Sequence, residues 1–301
     1  MELLTLDIGG STIKYGIVDS KGNISNKGKF KTPSDSKESL YNTIKIIWNE
    51  YGSNSKGLAI SMPGVIDTKK GFAYSGGVLH YIKNCEIAKE ISEIINTNVI
   101  VANDAKCAGV AELGFGSLKD IDDGVVLVLG TGIGGCIIKD KKLYEGKHFS
   151  SAEVSYLLSG ATEKESRDKL WVIKNGIEGL ADTVEKYYGK HNFTGFDIFE
   201  LANAGDERIL KALKEFSKNV AEGIFTLQAI LDVEKFAIGG GISEQPILIK
   251  LINEAYDEIH DNFVEEFNSP IYRPKIEVCK FHNDANLLGA YYRFRTIYNI
   301  K

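Results

Sequence analysis

The chain has 301 residues, 43% of them hydrophobic and 26% charged, with a formal net charge of −5. That length exceeds a usual single domain and allows a core that needs no covalent staples, while the acidic balance disfavours a general nucleic-acid binder. No apolar run is long enough to span a membrane, and the four scattered cysteines, Cys85, Cys107, Cys136 and Cys279, form neither a disulfide framework nor a C-x-x-C pair, which fits a reducing cytoplasm.

Residues 3–8 and 13–18 are β-rich runs joined by "GGST", where glycine supplies the backbone freedom of a tight hairpin. The N-terminus therefore enters a strand at once, an arrangement with no signal peptide and no room for an N-terminal DNA-binding module. "GKFKTP" at 28–33 predicts a third strand. Leu40, Ile44, Ile47 and Trp48 recur at helical spacing and predict a helix over 36–51. "GLAISMPGVID" predicts a buried strand ending in a Pro-Gly turn, 85–96 a helix, and "NVIVANDA" a strand running into the helix "AKCAGVAELGFG".

Polarity rises over 115–124 and the pattern restarts. "VVLVLGTGIGGCIIKDKKL" predicts two or three strands, and a long helical region follows over 163–231. "KFAIGGGIS" predicts a strand with a glycine end, 246–266 a helix, "KIEVCKF" a late strand and "DANLLGAYYRFRTIYN" a terminal helix. The second half thus repeats the first, as a duplicated α/β architecture with a cleft between the halves.

Gly130, Gly132 and Gly135 match the G-x-G-x-x-G spacing of dinucleotide-binding folds. That fingerprint needs a helix after the glycines, because the pyrophosphate sits on a helix N-terminus. "CIIKDKKLY" and, after Gly10, "STIKYGIVD" are strand-like instead, and no P-loop consensus is present. Glycine hairpins of this kind remain able to hold phosphate through bare N–H groups and nearby hydroxyls.

"DIGGSTIKYGIVD" resembles the first phosphate motif of the actin/hexokinase/Hsp70 superfamily, "VLGTGIGG" the second and "FAIGGGISEQP" the adenosine motif. "VANDAKCAGVAELGFG" resembles the catalytic segment of ROK-family sugar kinases. The motifs run in order over essentially the whole chain. The resemblance implies two ribonuclease-H-like domains with an inter-domain cleft, here 1–117 completed by helix 284–301, and 118–283. It implies that Asp104 is the general base, an Asp that would otherwise read as a helix N-cap, at a helix N-terminus that favours the anion. Asn103 would bond a sugar hydroxyl. Asp7 would act on Mg²⁺ through water. Gly9, Gly10, Ser11 and Thr12, then Thr131, Gly132, Gly134 and Gly135, would approach the phosphates of ATP, and Gly239, Gly240 and Gly241 the adenosine. Lys14 lies two residues into a strand, where it reads equally as a phosphate contact or a solvent-facing residue.

Glu153, in "HFSSAEVSYLL", resembles the family's sugar-binding Glu, and Ser61, Pro63, Gly64 and Gly77 stand where related kinases line the sugar pocket. Here the chain departs from the family: Tyr156 stands where the family has His, Ser155 where it has Gly, and the family's C-x-C-G-x-x-G-C zinc motif is absent. Residues 157–180 hold no Cys or His, so no zinc site is expected there, and His148 alone is no ligand set. The implied activity is transfer of phosphate from ATP to the 6-hydroxyl of a hexose or N-acylhexosamine. Loss of the zinc loop favours room at the C1–C2 end, hence N-acetylmannosamine first and a β-glucoside or glucose next. A homodimer is implied, with neither nucleic-acid nor membrane partners. A sugar-sensing ROK regulator, an actin-like ATPase and a nicotinamide oxidoreductase are the rival classes.

Overall fold

The computed structural model describes residues 1–130, 132–158, 169–189, 192–268 and 270–300. The chain forms two compact units, one of Met1–Lys119, Leu143–Ser151 and Asn283–Lys301, the other of Asp120–Lys142 and Ala152–His282.

In the first unit, strands β1 (Leu3–Ile8), β2 (Thr12–Val18) and β3 (Ile24–Lys31) are followed by helix α1 (Lys37–Tyr51) and strand β4 (Leu58–Met62). A small sheet of β5 (Ile66–Asp67), β6 (Phe72–Ser75) and β7 (Lys83–Cys85) precedes α2 (Ile87–Ile95), β8 (Val99–Asn103) and α3 (Asp104–Phe115). The main sheet has the order β3-β2-β1-β4-β8. β2 is antiparallel to β1, while β4 and β8 run parallel to it. Every residue of β1, β4 and β8 is buried, as expected of strands covered on both faces. Leu40, Ile44 and Ile47 of α1 and Ile87 and Ile91 of α2 join the β1, β4 and β8 side chains in one core.

The second unit repeats the plan. β9 (Gly124–Leu129), β10 (Ile133–Lys139) and β11 (Lys142–Tyr144) lead to helices α4 (Trp171–Asn175), α5 (Ile177–Tyr188), α6 (Gly195–Asn203) and α7 (Glu207–Leu231), then β12 (Lys235–Gly239), α8 (Pro246–Phe267) and β13 (Lys275–Val278). Its sheet order is β11-β10-β9-β12-β13, again with one antiparallel hairpin and two parallel additions. The ribonuclease-H-like expectation therefore holds for each unit. The core of the second unit joins Leu127 and Leu129 to Phe216, Val220 and Ile224 of α7 and Leu248 and Ile252 of α8.

The final helix, α9 (Ala285–Ile297), returns to the first unit. It lies against α3 so closely that a Cβ on Gly289 would stand 1.8 Å from the Cys107 carbonyl oxygen. All four cysteines are buried, and none is joined in a disulfide. Among the described residues no helix is long and apolar enough to cross a membrane.

The sequence reading needs three adjustments. The third strand begins at Ile24, ahead of 28, after a register shift between Tyr15 and Ile17. The 163–231 region, of which 163–168 and 190–191 lie outside the described residues, shows four helices among the described ones, broken at Gly176, after Gly189 and at 204–206. β5–β7 escaped prediction because strands of two to four residues carry too little periodicity.

Candidate functional site

Asp7 closes β1, paired across the hairpin with Lys14 and across β4 with Ser61. It is 9% exposed. Its Oδ1 accepts from Asn286 Nδ2 at 2.9 Å and from Ser61 Oγ at 3.4 Å. Lys14 Nζ stands 4.0 Å from Oδ2, so Lys14 shares a sheet face with Asp7 while its own side chain stays partly solvated. Burial pushes the Asp7 carboxyl above its ordinary value, and the Asp104 charge adds to the rise; the Asn286 bond, Lys14 and Ser61 oppose it.

Asp104 is the first residue of α3, and the N-cap is Asn103, whose Oδ1 accepts from Lys106 N at 3.1 Å. The capping reading of Asp104 is thus displaced by one residue. Asp104 Oδ1 instead accepts from Ala105 N at 2.8 Å and from Asn103 Nδ2 at 3.1 Å. Asn103 Nδ2 also donates to the Gly64 carbonyl at 2.9 Å, so Asn103 joins the helix start, the acid and the loop after β4. Burial raises the Asp104 carboxyl above its ordinary range despite the helix amides, the Lys106 charge and Asn103. The expected preference for the anion is outweighed by desolvation.

Beside these acids, the first glycine turn is fixed from beneath. Gly9 N donates to Thr12 O at 2.9 Å, and buried Thr32 bonds Gly9 O through its hydroxyl at 2.7 Å and Ser11 O through its amide at 3.1 Å. Gly10 and Ser11 are exposed at the tip. Gly64 has φ +110°, and a Cβ there would meet Ser75 O at 2.1 Å; Gly77, φ +58°, lies against Pro63. Both glycines are demanded by backbone packing of the loop that Asn103 holds. Ser61 sits on β4 and bonds Asp7, whereas Pro63 and Gly64 lie in the loop that follows.

In the second unit, Thr131 lies outside the described residues. Gly130 N donates to Gly132 O, and Ile177 N, opening α5, donates to Gly130 O, both at 2.9 Å. Ser155 latches the same turn, accepting from Ile133 N at 3.3 Å and donating to Ile133 O at 2.8 Å. Gly132 is exposed, and the nearest atom to a Cβ there would be Val172 Cγ2 at 3.7 Å, an ordinary contact. Gly134 is half-buried on β10, and Gly135 lets Ala152 O approach to where a Cβ would stand 2.4 Å away. Glu153 follows directly, exposed, ahead of a short turn that leaves Tyr156 69% exposed.

The three glycines after β12 differ in kind. A Cβ on Gly239 would come 3.1 Å from Cys279 Sγ; Gly240 has φ +94° and would meet Leu129 O at 2.0 Å; Gly241 faces open space. Among the described residues no three His, Cys, Asp or Glu side chains cluster as a metal site. Asn286, Lys106 and Thr32 were missed by sequence reasoning. Asn286 arrives from the far end of the chain with no local signal, Lys106 reads as an ordinary helix lysine, and Thr32 follows a strand.

A model of the ROK family matches residues 3–164 and 173–296. A beta-glucoside kinase of Listeria monocytogenes is 28% identical over 98% of this chain and 97% of its own. An N-acetylmannosamine kinase of Haemophilus influenzae is 26% identical over 97% and 95%. The crystal structure of a ROK family protein from Streptococcus pneumoniae in complex with sucrose superposes with a TM-score of 0.87 at 27% identity, covering 99% of each chain.

Proposed function

The chain belongs to the ROK family, and on that premise we propose that it is an ATP-dependent sugar kinase acting on the 6-hydroxyl of a hexose or N-acylhexosamine. The observation that carries the reading is the pair of carboxylates in the first unit, Asp7 and Asp104, close enough for one to raise the other's pKa. Phosphoryl transfer to an alcohol needs a proton-accepting group at the hydroxyl and a second carboxylate toward the metal and phosphates. Asp104 takes the hydroxyl proton as the new O–P bond forms and the bond to ADP breaks. A carboxyl lifted above its usual range is the better acceptor near neutrality, provided it remains ionised.

Mg²⁺, when bound, neutralises phosphate charge, and a single carboxylate is a fitting protein share for it, because phosphates and waters fill the remaining positions. Asp7, with Oδ1 already oriented by Asn286 and Ser61, is the residue to hold it through water. Gly9, Gly10, Ser11 and Thr12, and Thr131, Gly132, Gly134 and Gly135, serve the phosphates. Gly239, Gly240 and Gly241 serve the adenosine; the open space at Gly241 supports that reading, whereas Gly240 is required by its own backbone. Asn103, Gly64, Gly77 and Glu153 serve the sugar. N-acetylmannosamine and β-glucosides are the first substrates to test, supported by the names of the relatives. We read the protein as a cytoplasmic homodimer; four buried cysteines without a disulfide support the compartment.

The test is ADP release from Mg-ATP, coupled to a dehydrogenase and measured with and without each sugar. Sugar-dependent release is expected. Sugar binding without any release would replace the kinase with a sugar sensor on the same fold.

A further inference from the structure

The segment Leu143–Ser151 packs with the first unit, and both its ends are pinned by buried cations. Glu145 pairs with Arg293 of α9 at 2.6 Å, their side chains 15% and 7% exposed. Lys106, two residues after Asp104, donates from Nζ to Ser151 O at 3.2 Å. Ser151 Oγ closes the loop on Tyr144 O. A buried ion pair is weak evidence for stability; what it fixes is place.

The strap carries Phe149 with φ +61°, a backbone region costly for a bulky side chain. The ring lies over Tyr74 of β6, centroids 6.2 Å apart and planes inclined by 23°. That separation leaves the rings offset, with part of each face uncovered, and Tyr74 is 42% exposed. Phe72 braces Tyr74 edge-on at 5.0 Å. Phe149 also lines a 610 Å³ groove together with Tyr144, Lys69, Lys70, Lys147, Asp67 and Glu145. An exposed Tyr74 stacked on a half-buried Phe149, itself strained, pinned and lining a groove that also holds Tyr144 and three lysines, has the makings of a ligand surface.

This surface connects to the sugar-side loop. Tyr74 N donates to Val65 O at 2.9 Å, Val65 N to Ser75 Oγ at 3.2 Å, and Gly64 O accepts from Asn103, the neighbour of Asp104. We propose that Tyr74 and Phe149 form a specificity platform for a ring attached to the sugar, so that the preferred substrate is a glycoside with an aryl or pyranose aglycone. This rests on the sugar-kinase reading. The uncovered ring faces receive the flat or C–H face of the aglycone, and the lysines lining the groove beside Phe149 donate to its oxygens.

The experiment is titration calorimetry with 4-nitrophenyl β-glucoside and methyl β-glucoside on the wild type, F149G and Y74A. Glycine suits φ +61°, so F149G deletes the ring while relieving the backbone, and Y74A, on a strand, is the second route should F149G fail to fold. The wild type should bind the aryl glucoside at least about tenfold tighter, a reasonable worth for stacking. Each variant should lose at least about five times more affinity for the aryl than for the methyl glucoside, most of that tenfold advantage. A wild-type ratio near one, no binding of the aryl glucoside, or equal losses for both ligands overturns the platform. ADP release, followed on the same samples, separates the two failures: its absence removes the kinase, whereas the affinity ratio alone decides the platform.

Discussion

The two units share a strand plan and differ at the strand ends. In the first, Ile8 pairs with Ile13 across the hairpin and Asp7 sits beside Ser61. In the second, Leu129 pairs with Ile133 and Val128 sits beside Gly239. By register, Val128 stands where Asp7 does, and Gly239 where Ser61 does. One scaffold thus presents carboxylates held by Ser61, Asn286 and Asn103, and the other presents glycine backbone. The difference lies in what each sheet presents at those strand ends: in the first, carboxylates whose charge is tuned by burial and hydrogen bonds, in the second, backbone bared at Gly134 and Gly239.

The largest effect should come from breaking the charged end. Asp104→Asn keeps the Ala105 amide bond and leaves the true cap, Asn103, untouched, but removes the proton acceptor. The value of kcat should fall ~10²–10⁴-fold, with the circular dichroism spectrum unchanged. Retention of more than about a tenth of wild-type kcat, outside that range, would assign the base elsewhere.

The glycine end breaks in two distinguishable ways. Gly240→Ala places a Cβ 2.0 Å from Leu129 O at φ +94°, so it should destabilise the second unit by roughly 3 kcal/mol or more, the scale of a severe backbone conflict. Gly132→Val meets only Val172 at ordinary distance, so the fold should persist. Its exposed bulk at the turn should raise the KM for ATP about five- to tenfold while the KM for sugar changes less, a loss of roughly 1–1.4 kcal/mol of binding. A folded Gly132→Val with unchanged ATP KM would reduce that glycine to a plain hairpin residue.

The comparison also explains what the sequence made legible. Both hairpins were readable because glycine and β-branched residues act locally, and the duplication because the same order of patterns recurs. The "NDA" motif drew attention to Asp104, which the structure places as a buried acid at the start of α3, yet the cap fell on Asn103, since either residue type suits that position and only φ and ψ decide. Asn286 lies 279 residues from Asp7, a separation no local pattern bridges. Neither did any pattern reveal that Leu143–Ser151 packs with the first unit; its attachment depends on Arg293 and Lys106, whose burial is set by tertiary packing.

The smallest effect concerns stability. Asp7 and Asp104 both have folded-state pKa values raised, chiefly by burial, above the ~3.9 of an unfolded aspartate. A raised carboxyl binds its proton more tightly in the folded state, so its contribution to stability is complete below the unfolded pKa and is lost as pH rises through the folded one. Ionisation of either acid therefore costs the first unit stability. Asp7→Asn and Asp104→Asn should each raise Tm at pH 7, by about 2–4 °C if the relief is on the order of 1 kcal/mol. The gain should shrink as pH falls toward ~4, where the wild-type carboxyls are protonated too. Because either substitution also removes the repulsion between the two acids, the double variant should gain less than the sum. Melts at both pH values check this. Equal or lower Tm at pH 7 would mean that the Asn286, Lys14 and amide contacts outweigh burial, and that the charged ends cost the fold no more than the bare ones.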